Sequence, residues 1–280
     1  MKKIIISCDS TCDLSREIIE KYDIRVLPMI VNFGLDGYRD GVNITPDEIY
    51  DRVGRENTLP KTSAISAGEY IEYFKKLLEE AETVVHFSIS SGFSCTFQNS
   101  LFAIEELKNI YSVDSRNLST GHGLVVLKAC DLVEQGLSAE EIVKEVEKYR
   151  EKVDASFVID KLDYLHKGGR CGGLTAFAAT ILHLKPCIEV IEGKMSVGKK
   201  YRGSLDKVVV KYAKNRLENQ DVDSRRVFIT HSGCKQKTID AVISVVEESN
   251  LFDEILVTRA GCTVSTHCGP NTIGVLFARK

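Results

Sequence analysis

Lys3-Ile4-Ile5-Ile6-Ser7-Cys8 runs directly into Asp9-Ser10-Thr11-Cys12-Asp13. The first six residues form a near-continuous apolar run, which reads as a buried strand. The next five are polar and sit where the strand must end. Ser15 to Tyr22 then reads as a short helix, and Ile24 to Phe33 as a second strand. Strand, polar turn, helix and strand make a βαβ unit, and that unit implies a parallel sheet.

The same rhythm continues outward. Gly34 and Gly37 punctuate a turn, and Thr45-Pro46 places a capping hydroxyl before a proline at the first helical position, with the helix over Asp47 to Val53. Arg55 to Thr62 is polar, contains Pro60 and reads as a loop. Ser66 caps a helix from Ala67 to Glu80, with Tyr70, Phe74, Leu77 and Leu78 at helical spacing. Thr83 to Ser88 is a strand, Ser94 to Leu107 a helix, Ile110 to Val113 a strand and Thr120 to Gln135 a helix. Ser138 and Glu141 form a capping box for a helix reaching Lys152.

Beyond that point the rhythm changes. Ser156 to Ile159 reads as a strand and Leu162 to Lys167 as a short helix. Lys185 to Ile191 and Met195 to Tyr201 flank Glu192-Gly193-Lys194 as a hairpin. Helices follow at Ser204 to Glu218 and Gln236 to Glu248, and strands at Arg226 to Thr230, Glu254 to Thr258 and Thr272 to Ala278. The expected fold is therefore α/β in two domains. Residues 1–152 form a mainly parallel sheet with flanking helices, and residues 153–280 an α+β domain.

Between these halves lies Leu165-His166-Lys167-Gly168-Gly169-Arg170-Cys171-Gly172-Gly173, then Leu174 to Leu184 without a formal charge. A helix in that second part would be apolar nearly all round and hence buried. A basic, glycine-rich entrance beside an apolar wall suits an amphiphile with an anionic head. Taken alone, these residues favour a loop leading into an ordinary core helix.

Composition narrows the function. The 280 residues are 43% hydrophobic, enough for a sizeable core. A net charge of -3 argues against a nucleic-acid partner. The opening basic-apolar run ends too early for a secretory signal, and no uncharged apolar run reaches a membrane span of roughly 18 residues. Nine cysteines without a C-x-x-C pair suggest free thiols in a reducing cytoplasm and no metal site.

Four polar clusters stand at expected element ends: Asp9 to Asp13, Lys61 to Ser66, Ser90 to Thr96 and Thr266 to Pro270. Two chemistries compete for them. Gly92-Phe93-Ser94-Cys95-Thr96 resembles a nucleophile elbow lacking its last glycine, and Ser94, His267 and Asp9 would then be a hydrolase triad acting on a lipid or ester. Alternatively, Thr62, Ser63, Ser94 and His267 supply donors to a carboxylate, which only accepts hydrogen bonds. No G-x-x-x-x-G-K-[ST] occurs, so the chain carries no phosphate-transfer loop of that type.

Seven segments in order then resemble one family. They are Asp9-Ser10-Thr11-Cys12-Asp13-Leu14, Lys61-Thr62-Ser63, Ser90 to Gln98, Val113-Asp114-Ser115, Leu165 to Arg170, Lys185-Pro186 and His267-Cys268-Gly269-Pro270. Together they are similar to the DegV family, whose FakB-type members are the fatty-acid-binding subunits of bacterial fatty-acid kinases. Ala64-Ile65, Cys95 and Cys171-Gly172-Gly173 depart from the usual pattern.

The resemblance implies a carrier that is not itself an enzyme and needs no cofactor. A long-chain fatty acid would lie in a tunnel in the C-terminal domain, its carboxylate at the interdomain cleft. A separate ATP-dependent kinase would phosphorylate that carboxylate, and the acyl-phosphate would pass to phospholipid synthesis, with transient membrane or acyltransferase contact. Thr62, Ser63, Ser94 and His267 would hold the head group, with Arg170 nearby. Ala176, Phe177, Ala178 and Ile181 would line the tunnel, with Leu174 and Leu182. Arg170 and Arg202 would face the kinase, within a basic group that includes Lys167, Lys199 and Lys200.

Overall fold

The computed structural model describes residues 2–160, 162–169 and 184–280. Arg170, Ala176, Phe177, Ala178 and Ile181 lie outside the described residues, as does the expected apolar helix up to residue 183.

The first half runs β1 (Lys2–Asp9), α1 (Arg16–Tyr22), β2 (Arg25–Leu27), β3 (Ile30–Phe33), β4 (Asp36–Arg39), α2 (Pro46–Glu56), β5 (Lys61–Ser63), α3 (Ala67–Glu80), β6 (Ala81–Ser88), α4 (Thr96–Ile104), β7 (Ile110–Asp114), α5 (Ser119–Glu134) and α6 (Ala139–Arg150). A four-stranded sheet in the order β2-β1-β6-β7 is parallel throughout. A separate antiparallel sheet has the order β4-β3-β5.

The second half runs β8 (Val153–Val158), α7 (Asp163–Lys167), β9 (Leu184–Ile191), β10 (Lys194–Arg202), α8 (Leu205–Leu217), β11 (Val222–Ser232), α9 (Gln236–Ser249), β12 (Ile255–Arg259), α10 (Cys262–Cys268) and β13 (Thr272–Arg279). One six-stranded sheet, β10-β9-β8-β13-β11-β12, is antiparallel except for the β11–β12 pair. Glu192 and Gly193, both at positive φ, make the two-residue turn between β9 and β10. Their mirror-type turn matches the twist of the flanking strands.

Local chemistry explains most boundaries. Thr45, Ser66 and Ser138 each complete a capping box with the glutamate three residues on. The expected strand over Ile24 to Phe33 is instead two strands in two different sheets. Pro28 lies between them, lacks the N–H a ladder needs, and lets the chain turn from the parallel sheet to the small one. The expected loop over Arg55 to Thr62 ends in β5, held by pairing with β3.

α5 joins the halves. Its Leu124, Val125, Val126 and Leu127 are all buried, as expected of a helix apolar around most of its circumference. They share one hydrophobic cluster with Ile6, Val85 and Val113 of the parallel sheet and with Ala155, Phe228 and Leu276 of the six-stranded sheet. The hydrophobic core is therefore continuous across the link between α6 and β8.

Candidate functional site

β5 brings Thr62 to the site. Successive strand residues face opposite ways, and Thr62 pairs in register with the buried Val31. Its Oγ1 lies 2.8 Å from Nε2 of His267, 205 residues away in sequence. Ser63 also lines the cavity beside them, and its Oγ accepts from Asn32 Nδ2 at 2.8 Å. Ser94 lies in the turn before α4. Its Oγ lies 2.7 Å from Thr96 Oγ1 and accepts from the Thr96 N–H at 3.2 Å.

Thr62, Ser63, Ser94 and His267 surround one cavity. Its other walls are mostly apolar, including Met29, Ile89, Phe93, Leu118, Met195 and Val264. A second, smaller hollow shares Leu118, Val264 and Cys268 with it and runs toward Phe157, Gly274 and Leu276 on the six-stranded sheet. The arrangement is a polar mouth opening on an apolar interior.

His267 stands on α10, a helix the sequence reading missed. Cys262-Thr263-Val264-Ser265-Thr266-His267-Cys268 contains no strong helix former. Carboxylates from distant segments hold its start. Asp13 Oδ1 accepts from the Gly261 N–H at 2.8 Å, while Asp40 Oδ1 and Oδ2 accept from Cys262 and Thr263 at 2.7 and 3.0 Å. Asp13 also accepts from Ser119 Oγ at 2.5 Å, and burial still pushes its carboxyl well above the usual range. At the other end, the missing side chain of Gly168 matters, because a Cβ there would run into His267 Nδ1. α7 can thus lie directly against the imidazole.

Asp9 serves the same scaffold. It accepts from the Thr11 N–H at 3.0 Å and the Ile89 N–H at 2.7 Å, tying the turn after β1 to the end of β6. Asp114 does likewise for Ser91, whose Oγ donates at 2.6 Å. The Ser94–His267–Asp9 triad is therefore not assembled. Ser94 bonds Thr96, and Asp9 faces Thr11, Ile89 and, at 3.9 Å, His122. Burial first, partly offset by Asp9, lowers the His122 pKa. Cys268 beside the cavity is an inert thiol, pushed up to about 12 by burial and then by Asp13.

Lys199, Lys200 and Arg202 all lie on β10 and are exposed. Arg202 ends the strand, and Lys199 donates to Asn215 Oδ1 at 2.7 Å. Among the described residues no cluster of three or more metal-ligating side chains occurs, and no helix is long and apolar enough to cross a membrane. The eight described cysteines are free.

Fold and site together define an α/β protein with a polar-mouthed apolar cavity between a small N-terminal sheet and a C-terminal helix. The chain belongs to the DegV family, whose model, described as an uncharacterised protein family, matches residues 3–280. A DegV domain-containing protein of Clostridium perfringens is 37% identical across 100% of both chains. A fatty-acid-binding DegV family protein from Thermus thermophilus is 33% identical over 99% of this chain and 100% of its own, with a TM-score of 0.90. A stearic-acid-binding protein from Eubacterium ventriosum is 30% identical over 100% of this chain and 99% of its own, with a TM-score of 0.87.

Proposed function

We propose that this chain binds a long-chain fatty acid, its carboxylate at Thr62, Ser63, Ser94 and His267 and its tail in the apolar interior. The pairing of Thr62 with His267 in the wall of a mostly apolar cavity carries this reading. Fatty-acid binding by two relatives of matching fold supports it. Burying about 14 methylenes at roughly 0.8 kcal/mol each is worth on the order of 11 kcal/mol before the cost of fixing the ligand. The tail thus dominates affinity, and the mouth orients the head group.

The further role is that of a FakB-type carrier. A separate ATP-dependent fatty-acid kinase would reach the carboxylate at the mouth. A carboxylate oxygen would attack the γ-phosphorus, and ADP would leave. Arg170 and Arg202 are the proposed docking residues, and Ala176, Phe177, Ala178 and Ile181 the proposed tunnel wall. The chain would work in the cytoplasm as a non-enzymatic subunit, passing acyl-phosphate on at the membrane or to an acyltransferase. We place the formal division of its two halves at 152/153.

The test has two arms. Purified protein is denatured, extracted and its lipid identified by mass spectrometry; a long-chain acid is expected. Thr62→Ala and His267→Ala should each weaken fatty-acid binding about tenfold, the value of a hydrogen bond to a charged group, with little change in melting temperature. Absence of both a co-purifying acid and binding of added hexadecanoate would overturn the reading. A partner kinase with ATP should produce hydroxylamine-trappable acyl-phosphate only when this chain is present.

A further inference from the structure

One hydroxyl in the cavity wall has no role in the site described so far. Thr263 on α10 lines the cavity, is only 5% exposed, and its Oγ1 has no hydrogen-bond partner among the described residues. The other wall hydroxyls are engaged: Thr62 by His267, Ser63 by Asn32 and Ser94 by Thr96. Thr263 does not need its side chain to cap the helix, since its backbone N–H already meets Asp40.

A buried hydroxyl without a partner is costly, and native interiors rarely tolerate one. Water is a poor solution here. A buried water needs roughly two to four polar partners, and much of the remaining wall is Met29, Ile89, Phe93, Leu118, Met195 and Val264. The ligand itself is the better partner.

Position distinguishes this hydroxyl from the carboxylate-holding groups. Thr263 and His267 are four residues apart on one helix, so they share a face, about 6 Å apart along its axis. The imidazole reaches outward to Thr62, whereas a threonine hydroxyl stays close against its own helix. The two would therefore meet a bound acid at different points, His267 at the head group and Thr263 at the adjoining segment.

We propose that Thr263 is a specificity-determining residue that reads an oxygen near the head of the acyl chain. The preferred ligand class is then a long-chain acid carrying a hydroxyl or keto oxygen within a few carbons of its carboxylate. This rests on the fatty-acid reading above and deepens it.

The test is competition against a fluorescent fatty acid on the full chain, with hexadecanoate and 3-hydroxyhexadecanoate as the two competitors. The wild type should favour the hydroxy acid about tenfold. Thr263→Val should abolish that preference while leaving hexadecanoate no weaker, and Thr263→Ser should keep it. Equal competition by both acids in the wild type overturns the proposal. So does equal weakening of both acids in Thr263→Val, which would put the hydroxyl on the carboxylate. If neither acid competes, the fatty-acid reading itself fails and this proposal with it. Matching melting temperatures of the two variants guard against misfolding.

Discussion

Two groups of polar side chains converge on α10, and they differ in how fully they are satisfied from within. Asp13 and Asp40 direct their oxygens at three backbone N–H groups of the helix start, and accept further from Ser119 and Ser10. Thr62 and His267 meet each other at the helix's other end, on the wall of an open cavity. Both groups come from short polar motifs beside strands or turns. The first is sealed and consumed by the backbone, so it fixes geometry. The second keeps a surface on the cavity, where a bound ligand would meet it. Short polar motifs do not reveal which kind they are; their partners do.

Emptying the sealed group should have the largest effect. Asp40→Ala would leave the Cys262 and Thr263 N–H groups without their acceptors, together with Ser10 Oγ. Losing a buried, charge-assisted cap should cost about 3 kcal/mol. Urea denaturation would read that loss, and fatty-acid affinity should fall with it because α10 carries His267. Unchanged stability would mean that the helix start is held by something other than these carboxylates.

A gentler change acts on the open group alone. Gly168 has ordinary helical dihedrals, φ -68° and ψ -17°, so alanine is acceptable to the backbone there. The His267 ring stands most closely in the way of the new methyl, with the Tyr164 carbonyl oxygen 3.0 Å from it. Gly168→Ala should therefore lower fatty-acid affinity about fivefold by displacing the imidazole, at a stability cost of about 1 kcal/mol. A titration alongside a denaturation curve separates the two effects. A large stability loss with intact affinity would place Gly168 with the scaffold.

How much of this was legible in the chain follows the same division. The alternation of strands and helices was visible because each is local: β1 is an apolar run, and α3 and α6 announce their starts with capping boxes. β5 was invisible, since Lys61-Thr62-Ser63 is polar and becomes a strand only by pairing with β3. α10 was invisible for a related reason. Its β-branched, serine and cysteine residues favour no helix, and its caps arrive from Asp13 and Asp40, more than 220 residues upstream. Thr62, Ser94 and His267 could be marked through family resemblance, which carries long-range information that composition lacks. Thr263 carried no such mark, because its burial and its lack of a partner exist only once α10 has formed. Asp9 went the other way. It reads as a triad member in sequence and turns out to brace the turn after β1.

The smallest expected effect comes from Asp13→Asn, and its value lies in its sign. Burial raises the Asp13 carboxyl above its ordinary range, with the nearby Asp40 and Asp9 charges adding to the rise. The Ser119 and Gly261 hydrogen bonds oppose it. A raised folded-state pKa means the unfolded chain releases this proton first as pH rises from the usual aspartate value of about 3.9. Asp13's contribution is thus fully present below that value and is lost as pH climbs through the folded-state pKa. Asparagine removes the titration while keeping an oxygen for the Gly261 N–H and offering an amide donor to Ser119 Oγ. The variant should stay within about 1 kcal/mol of the wild type at acid pH, and should gain on it as pH rises toward neutrality. Urea denaturation of both proteins across that span measures the difference directly. A difference that does not change with pH would mean Asp13 is ionised in the folded state throughout, held by its two donors as a charge rather than tolerated as a buried acid.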